Sequence, residues 1–203
     1  IYKYMETGSA MLYSNMNGAN LEFSVSNGEL LKCKMSVVGG GFSQIANTTP
    51  SYPDNKIFTW DTVSVSFGGT ANADIENLTV TIDEAIEARH TLNNAKTPSH
   101  TKHTGFRTVS IDGTIKFNDQ TEFQAFLDQD ERRLLMHFKG VTEVQSGYSE
   151  ALTIDLPKMR YDDFAPAASG PGETTVGFTA RGKYSVDSGT LLEITHASDR
   201  AVY

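Results

Sequence analysis

One cysteine, one tryptophan and six prolines in 203 residues set the first limits on this chain. Cys33 has no second thiol to pair with, so no internal disulfide staples the fold. Set between Lys32 and Lys34 in an alternating series with Leu31, Met35 and Val37, it is expected as a buried strand thiol. A chain of this length buries about 70% of the surface its unfolded form exposes, so it needs neither disulfide nor metal to hold a core. No apolar run approaches the roughly 18 residues of a spanning helix, and no signal-peptide pattern is present, so no membrane span is expected. The first residue is Ile1 rather than methionine, which points to a trimmed, processed or partial chain. Positive charge is also scarce. A formal net charge of −8 and a pI near 5.1 exclude a sequence-reading nucleic-acid binder, which needs a basic surface. Excess acid ordinarily serves solubility; its sharper meaning is a surface that faces DNA without holding it.

Catalytic patterns are missing too. No serine sits in a G-x-S-x-G setting, no glycine-rich phosphate loop opens a helix, and calcium-loop spacing is absent. The carboxylate pairs Asp83/Glu84, Asp128/Asp130 and Asp162/Asp163 lack the aromatic cleft of a glycoside hydrolase and read as surface charge. His90, His100 and His103 cluster in one polar stretch, the last two spaced H-x-x-H. Imidazoles suit zinc or nickel, but no carboxylate completes the set and the metalloprotease spacing is absent, so a solvated or interface loop is the better reading. His137 and His196 fall in strand patterns as partial-core residues. No catalytic residue, metal or cofactor is expected.

What is present is alternation, and it is clearest from residue 75 to 117. Leu78, Val80, Ile82 and Ile86 share one parity against Asn77, Thr79, Thr81 and Asp83. Farther on, Val109, Ile111, Ile115 and Phe117 oppose Thr108, Ser110, Asp112 and Thr114. Period-two patterning predicts two strands with one buried and one wet face. Each runs to roughly a dozen residues, about twice the usual length. That length suggests a partner outside the domain.

Elsewhere the chain also reads as β. Ile1 to Asn17 shows no period and is expected as an irregular arm. Leu21, Phe23 and Val25, then Asn27-Gly28, then Leu31 to Val37 predict a tight hairpin. Phe58 and Trp60 take one parity and Val63, Val65 and Phe67 the other, so a bulge or turn is expected near Asp61. The segment DQTEFQAFLDQD predicts the one helix, capped by Asn118 or Asp119, with Glu122 completing a capping box and Phe123, Phe126 and Leu127 forming its apolar stripe. Further strands are expected at 134–144, 152–156, 174–186 and 191–196. The fold class is therefore mainly β: an antiparallel β-sandwich or partial barrel with one flanking α-helix. We expect an arm at residues 1–19 and a single domain at 20–203, with long loops at 39–56, 88–105 and 161–173.

Charge is segregated along the chain. Between Glu87 and Asp112 no acid occurs, while Arg89, Lys96, Lys102 and Arg107 accompany His90, His100 and His103. Asp119, Glu122, Asp128, Asp130 and Glu131 precede the next base, Arg132. A basic loop and an acidic helical region allow head-to-tail docking between copies, although two unrelated solvated patches would look the same.

The stretches NLEFSVSNGELLKCKMSVVGG, FTWDTVSVSFGG, IENLTVTIDEAIEARHTLNN and GFRTVSIDGTIKF resemble the tail tube proteins of long-tailed phages, most specifically at ENLTVTIDEAIEARHTL. The resemblance spans Asn20 to about Val186. It implies a non-enzymatic virion subunit of the phage tail, assembled in the host cytoplasm into hexameric rings that stack as a tube. Inner-sheet strands of successive subunits would close a ring-shaped β-barrel around a lumen that conducts double-stranded DNA without specific binding. The tape-measure protein and the tail-tip and terminator proteins are the further partners it implies. With that reading, Thr79, Thr81, Asp83, Ser110 and Asp112 are the expected lumen-facing residues. The basic loop residues named above become the inter-ring set, and the acids at 119–131 their counterpart. Alternatives are another ring-forming virion or secretion-tube component of the same fold, or a β-sandwich ligand-binding module.

Overall fold

The computed structural model describes residues 2–4, 9–46, 57–72, 74–92, 97–145, 148–164, 166 and 174–198. The alternating segments become strands: β1 (Tyr2–Tyr4), β2 (Ser9–Ser26), β3 (Lys32–Ala46), β4 (Val63–Phe67), β5 (Thr70–Ala71), β6 (Ile75–Asp83), β7 (Ile86–Arg89), β8 (His100–His103) and β9 (Thr108–Lys116). Helix α1 (Thr121–Asp128) follows, then β10 (Arg132–Gln145), β11 (Tyr148–Phe164), β12 (Thr175–Gly182) and β13 (Glu193–Ala197). Among the described residues α1 is the only α-helix. An eleven-stranded sheet runs β1-β2-β6-β9-β12-β11-β10-β4-β5, with β3 on β2 and β13 on β11; β7 and β8 form a separate pair. The mainly-β, helix-flanked expectation holds, and the sheet stays open as a partial barrel.

Contacts divide the chain into two compact units, residues 22–33, 55–81 and 109–203, and residues 1–21, 34–54 and 82–108. In the first, Phe67 on β4 and Phe178 on β12 meet edge to face with ring centroids 6.0 Å apart. Three strand spacings separate β4 from β12, which in a flat sheet would be about 14 Å. The sheet therefore curls on itself, and the inward parity of its strands fills the concavity. Val65, Leu78, Val80, Ile111, Leu134, Met136, Phe138, Ile154, Leu156 and Val176 are all buried there. Curling stops short of closure. A cleft of about 470 Å³ remains between the β4–β5 and β2–β6 edges, lined by Val25, Trp60, Val63, Ile75 and Leu78. The phase change near Asp61 is a 3-10 turn, Trp60–Thr62.

Several boundaries differ from expectation. The strands of the 75–117 segment are nine residues each, not a dozen. Ala85, with φ 49°, breaks the first of them, so Ile86 leaves the face of Leu78, Val80 and Ile82 and begins β7. Strand β11 continues through Tyr161–Phe164, residues expected to open a loop. β12 ends at Gly182 instead of reaching Val186, and a Ser185–Thr190 bridge closes the turn that follows.

In the smaller unit, the expected irregular arm is strand from Ser9 onward, and the expected loop after Gly39 is strand to Ala46. The glycines there serve close approach, not flexibility. Asn15, Gly39 and Gly40 all have positive φ, and a Cβ on Gly40 would lie 1.7 Å from the Ser14 carbonyl oxygen. The β2–β3 ribbon is thus kinked where a side chain cannot fit. Residues 47–56 of that loop lie outside the described residues. Cys33 and Met35, expected in the core, are exposed on β3. Alternation shows which residues share a face, but not whether anything covers it.

Candidate functional site

The outward parity of the curled sheet is polar throughout β9 and β12. Thr79 and Thr81 on β6 are half-buried and oppose buried Leu78 and Val80; Ser110 and Asp112 on β9 are exposed and oppose buried Val109 and Ile111. On β12, Thr175, Gly177, Thr179 and Arg181 stand directly across from Lys116, Thr114, Asp112 and Ser110. Asp83, at the exposed end of β6, accepts the Ala85 N–H at 2.8 Å and so shapes the strand break. Arg181 joins Lys116 as a cation in a row otherwise made of hydroxyls, a glycine and an acid. Its signal was the alternation of Val176, Phe178 and Ala180 against Thr175, Gly177, Thr179 and Arg181, readable once β9 and β12 are known to pair.

The loop after β6 is organised. β7 pairs β8 with Ile86 opposite His103 and Arg89 opposite His100. His103 Nδ1 lies 3.1 Å from the Glu84 carbonyl oxygen and His100 Nδ1 3.1 Å from Ser99 Oγ. His90 is exposed, and no cluster of three metal-ligating side chains occurs among the described residues. Two cations of the expected basic set are locally neutralised. Arg107 Nε lies 2.7 Å from Glu84 Oε1, and Arg89 Nη2 lies 3.3 Å from Glu87 Oε2. Lys102 is exposed, and Lys96 lies outside the described residues. Leu92 and Phe106 were not singled out by sequence, yet both are almost fully exposed here, at 109% and 94%.

The acidic set disperses. Glu122 does not cap the helix. Gln120 holds the cap position, and Asp119 Oδ1 accepts the Thr121 N–H at 2.8 Å. Glu122 instead turns inward and is buried, so it is withdrawn from any surface contact. Arg132 Nη2 donates to its Oε1 at 2.9 Å and Tyr161 Oη to its Oε2 at 2.7 Å. Burial, reinforced by the Glu122 charge, pushes the Tyr161 phenol far above the ordinary tyrosine range. Glu131 is held between Lys183 and Lys158, whose hydrogen bonds keep its carboxyl below the ordinary glutamate range. Asp128 accepts from Gln124 Nε2 at 3.0 Å, and Asp130 is exposed. Leu127, expected in the apolar stripe, is exposed, while Ala125 is buried in its place. His137 is half-buried against Thr153 Oγ1 at 2.9 Å, whereas His196 is exposed on β13.

The sequence profile of the phage tail tube protein family matches residues 3–187. The chain belongs to that family. No curated protein matches it. Family membership makes this a structural component of the virion tail, a subunit that assembles with copies of itself into a tube. β13, at Glu193–Ala197, lies beyond the matched segment.

Proposed function

We propose that the chain forms hexameric rings that stack into a conduit for double-stranded DNA, with the polar face of β6 and β9 lining the lumen. Thr79, Thr81, Asp83, Ser110 and Asp112 form that lining. The observation that carries this reading is the uniform polarity of the outward positions on β9 and β12, next to a fully apolar inward parity. Small hydroxyls and carboxylates let a phosphate backbone pass without the counterion release that makes DNA binding tight. The open sheet edges support assembly, since ring closure removes unpaired strands. The role is structural and needs no catalysis, cofactor or metal. The tape-measure protein inside the growing tube, and tail-tip and terminator proteins at its ends, are the partners proposed beside self, with assembly in the host cytoplasm.

The 84–108 loop is proposed as the contact between rings, with Leu92 and Phe106 as its apolar members and Lys102, Lys96, His90, His100 and His103 as its polar ones. Arg89 and Arg107 contribute less, because Glu87 and Glu84 already offset them. Asp119, Asp128 and Asp130 remain as the acidic counterpart, with Glu131 largely occupied by its lysines. Negative-stain microscopy and light scattering of concentrated protein test the proposal. Stacked six-fold rings are expected. A strictly monomeric species, with and without purified tail-initiation complex, would refute it, and isolated rings that never stack would favour a terminal tail ring of the same fold.

A further inference from the structure

We propose that Arg160 and Arg181 form a phosphate-contacting pair at one end of the polar face, giving each subunit one weak hold on the passing DNA backbone. The inference rests on the lumen assignment above. Arg181 stands directly across from Ser110 in the β9–β12 ladder, and Arg160 directly across from Arg181 in the β11–β12 ladder. The two guanidinium groups therefore continue the row of Ser110 and Asp112. Like charges facing each other across a ladder are destabilising, and a second such pair adjoins them, where the Lys183 N–H donates to the Lys158 carbonyl at 2.8 Å.

Three of these four cations have carboxylate partners. Glu131 takes Lys158 and Lys183, and Asp162 takes Arg181 at 2.7 Å. Among the described residues, the Arg160 guanidinium donates only to the neutral amide oxygen of Gln129. Around it lies an open groove of about 610 Å³, lined by Leu127, Gln129, Arg160, Arg181 and Lys183 and by the carboxylate of Asp162. A guanidinium fork fits a phosphate oxyanion bidentately. A second copy of the chain is the weaker candidate for occupant. Leu127 is exposed at the groove, but the outward positions of β9 and β12 beside it carry no apolar side chain, whereas the centre of a protein interface is usually apolar and aromatic. Asp112 and Asp162 keep the attraction low, as a conduit requires: the pair contacts the duplex weakly without retaining it.

The test is an NMR titration of arginine side-chain Nε–Hε signals in the purified chain, kept dilute enough to stay unassembled, with pyrophosphate and then with a short DNA duplex at low salt. Arg160 and Arg181 should shift with both ligands and recover as salt is raised. Arg133, which is paired with Asp155 at 2.9 Å, should stay in place. R160Q/R181Q should bind pyrophosphate roughly ten-fold more weakly, and Arg160→Lys should fall between, retaining charge but losing the fork. No shift, or an equal shift at Arg133, overturns the proposal. Tube formation by R160Q/R181Q, viewed by microscopy, separates the readings. Normal tubes are expected. Loss of tubes together with a null titration would make the pair a contact between copies, overturning this inference while the reading of the chain as a tube subunit stands.

Discussion

Tyr161 donates a hydroxyl hydrogen bond to Glu122 across 2.7 Å, and Arg132 closes the triangle from the other carboxylate oxygen at 2.9 Å. Helix α1 is thereby fastened to β10 and β11 by a buried charge-assisted cluster. Packing adds to this at Phe123, which stacks on Phe126 at 6.3 Å and tilts against Phe164 at 6.1 Å.

Removing one corner should loosen the helix first. Tyr161→Phe keeps the ring contacts and deletes one hydrogen bond to a charged acceptor, a loss of about 1.5–3 kcal/mol. Glu122→Gln leaves Arg132 facing a neutral amide; since the Arg132 side chain retains 23% exposure, its cost should sit at or below the low end of the ~3–5 kcal/mol range for broken buried pairs. Urea midpoints measure both, and helix amides should show the earliest gain in hydrogen exchange.

Gly40 offers a second test, confined to the smaller unit. Alanine there would drive a Cβ into the Ser14 carbonyl and hold φ near +59°, so the β2–β3 ribbon must separate locally. Hydrogen exchange should rise across residues 9–21 and 34–46 and stay unchanged across 132–164. Gly18→Ala is the control, since no atom lies within 4 Å of its added Cβ.

Assembly should respond to apolar loop residues more than to loop charges. Exposed ion pairs contribute roughly 0–1 kcal/mol and are screened by salt. Burying a leucine or phenylalanine is worth about 1.5–3 kcal/mol. Leu92→Ser and Phe106→Ser should each abolish or sharply shorten tubes, with thermal unfolding of the subunit unaltered. Lys102→Glu should have a smaller effect that fades at high salt. Sedimentation and microscopy across a salt series make the comparison.

Glu131 gives a pH readout with a defined sign. Its folded pKa is lowered by Lys183 and Lys158, so its contribution is present above the ordinary glutamate range and is lost as pH falls through the folded value. The carboxyl is at the surface, where solvent weakens the consequence for stability. The clean measurement is its carboxyl carbon shift. The midpoint should lie below that of an unpaired glutamate and return toward it in the Lys158→Gln, Lys183→Gln variant.

Local rules carried much of this fold. Asn27-Gly28 marked the turn, with Gly28 at φ 81°, and the inward residues of β6, β9 and β12 follow from alternation alone. The helix was legible from its composition, but its cap was not. A glutamate three residues past a capping aspartate has two uses, and the choice was made by Arg132 and Tyr161, ten and 39 residues away. The same holds for the polar face. Ser110 and Asp112 were readable, whereas Arg160 and Arg181 reach that row only through strand pairing. Cys33 and Met35 share the pattern of core residues, but no described residue covers that face of β3, and both are exposed. The family, by contrast, was legible from patterned segments without any knowledge of contacts.

The unsealed seam between the β4–β5 and β2–β6 edges has a mechanical consequence. A fully hydrogen-bonded cylinder can change girth only by breaking ladder bonds. Beside this cleft the sheet is joined by the Leu30–Thr59 bridge, with Leu31 N–H donating to the Phe58 carbonyl and Trp60 N–H to the Glu29 carbonyl at 3.0 Å each, so a change of girth here would break a short bridge and not a full ladder.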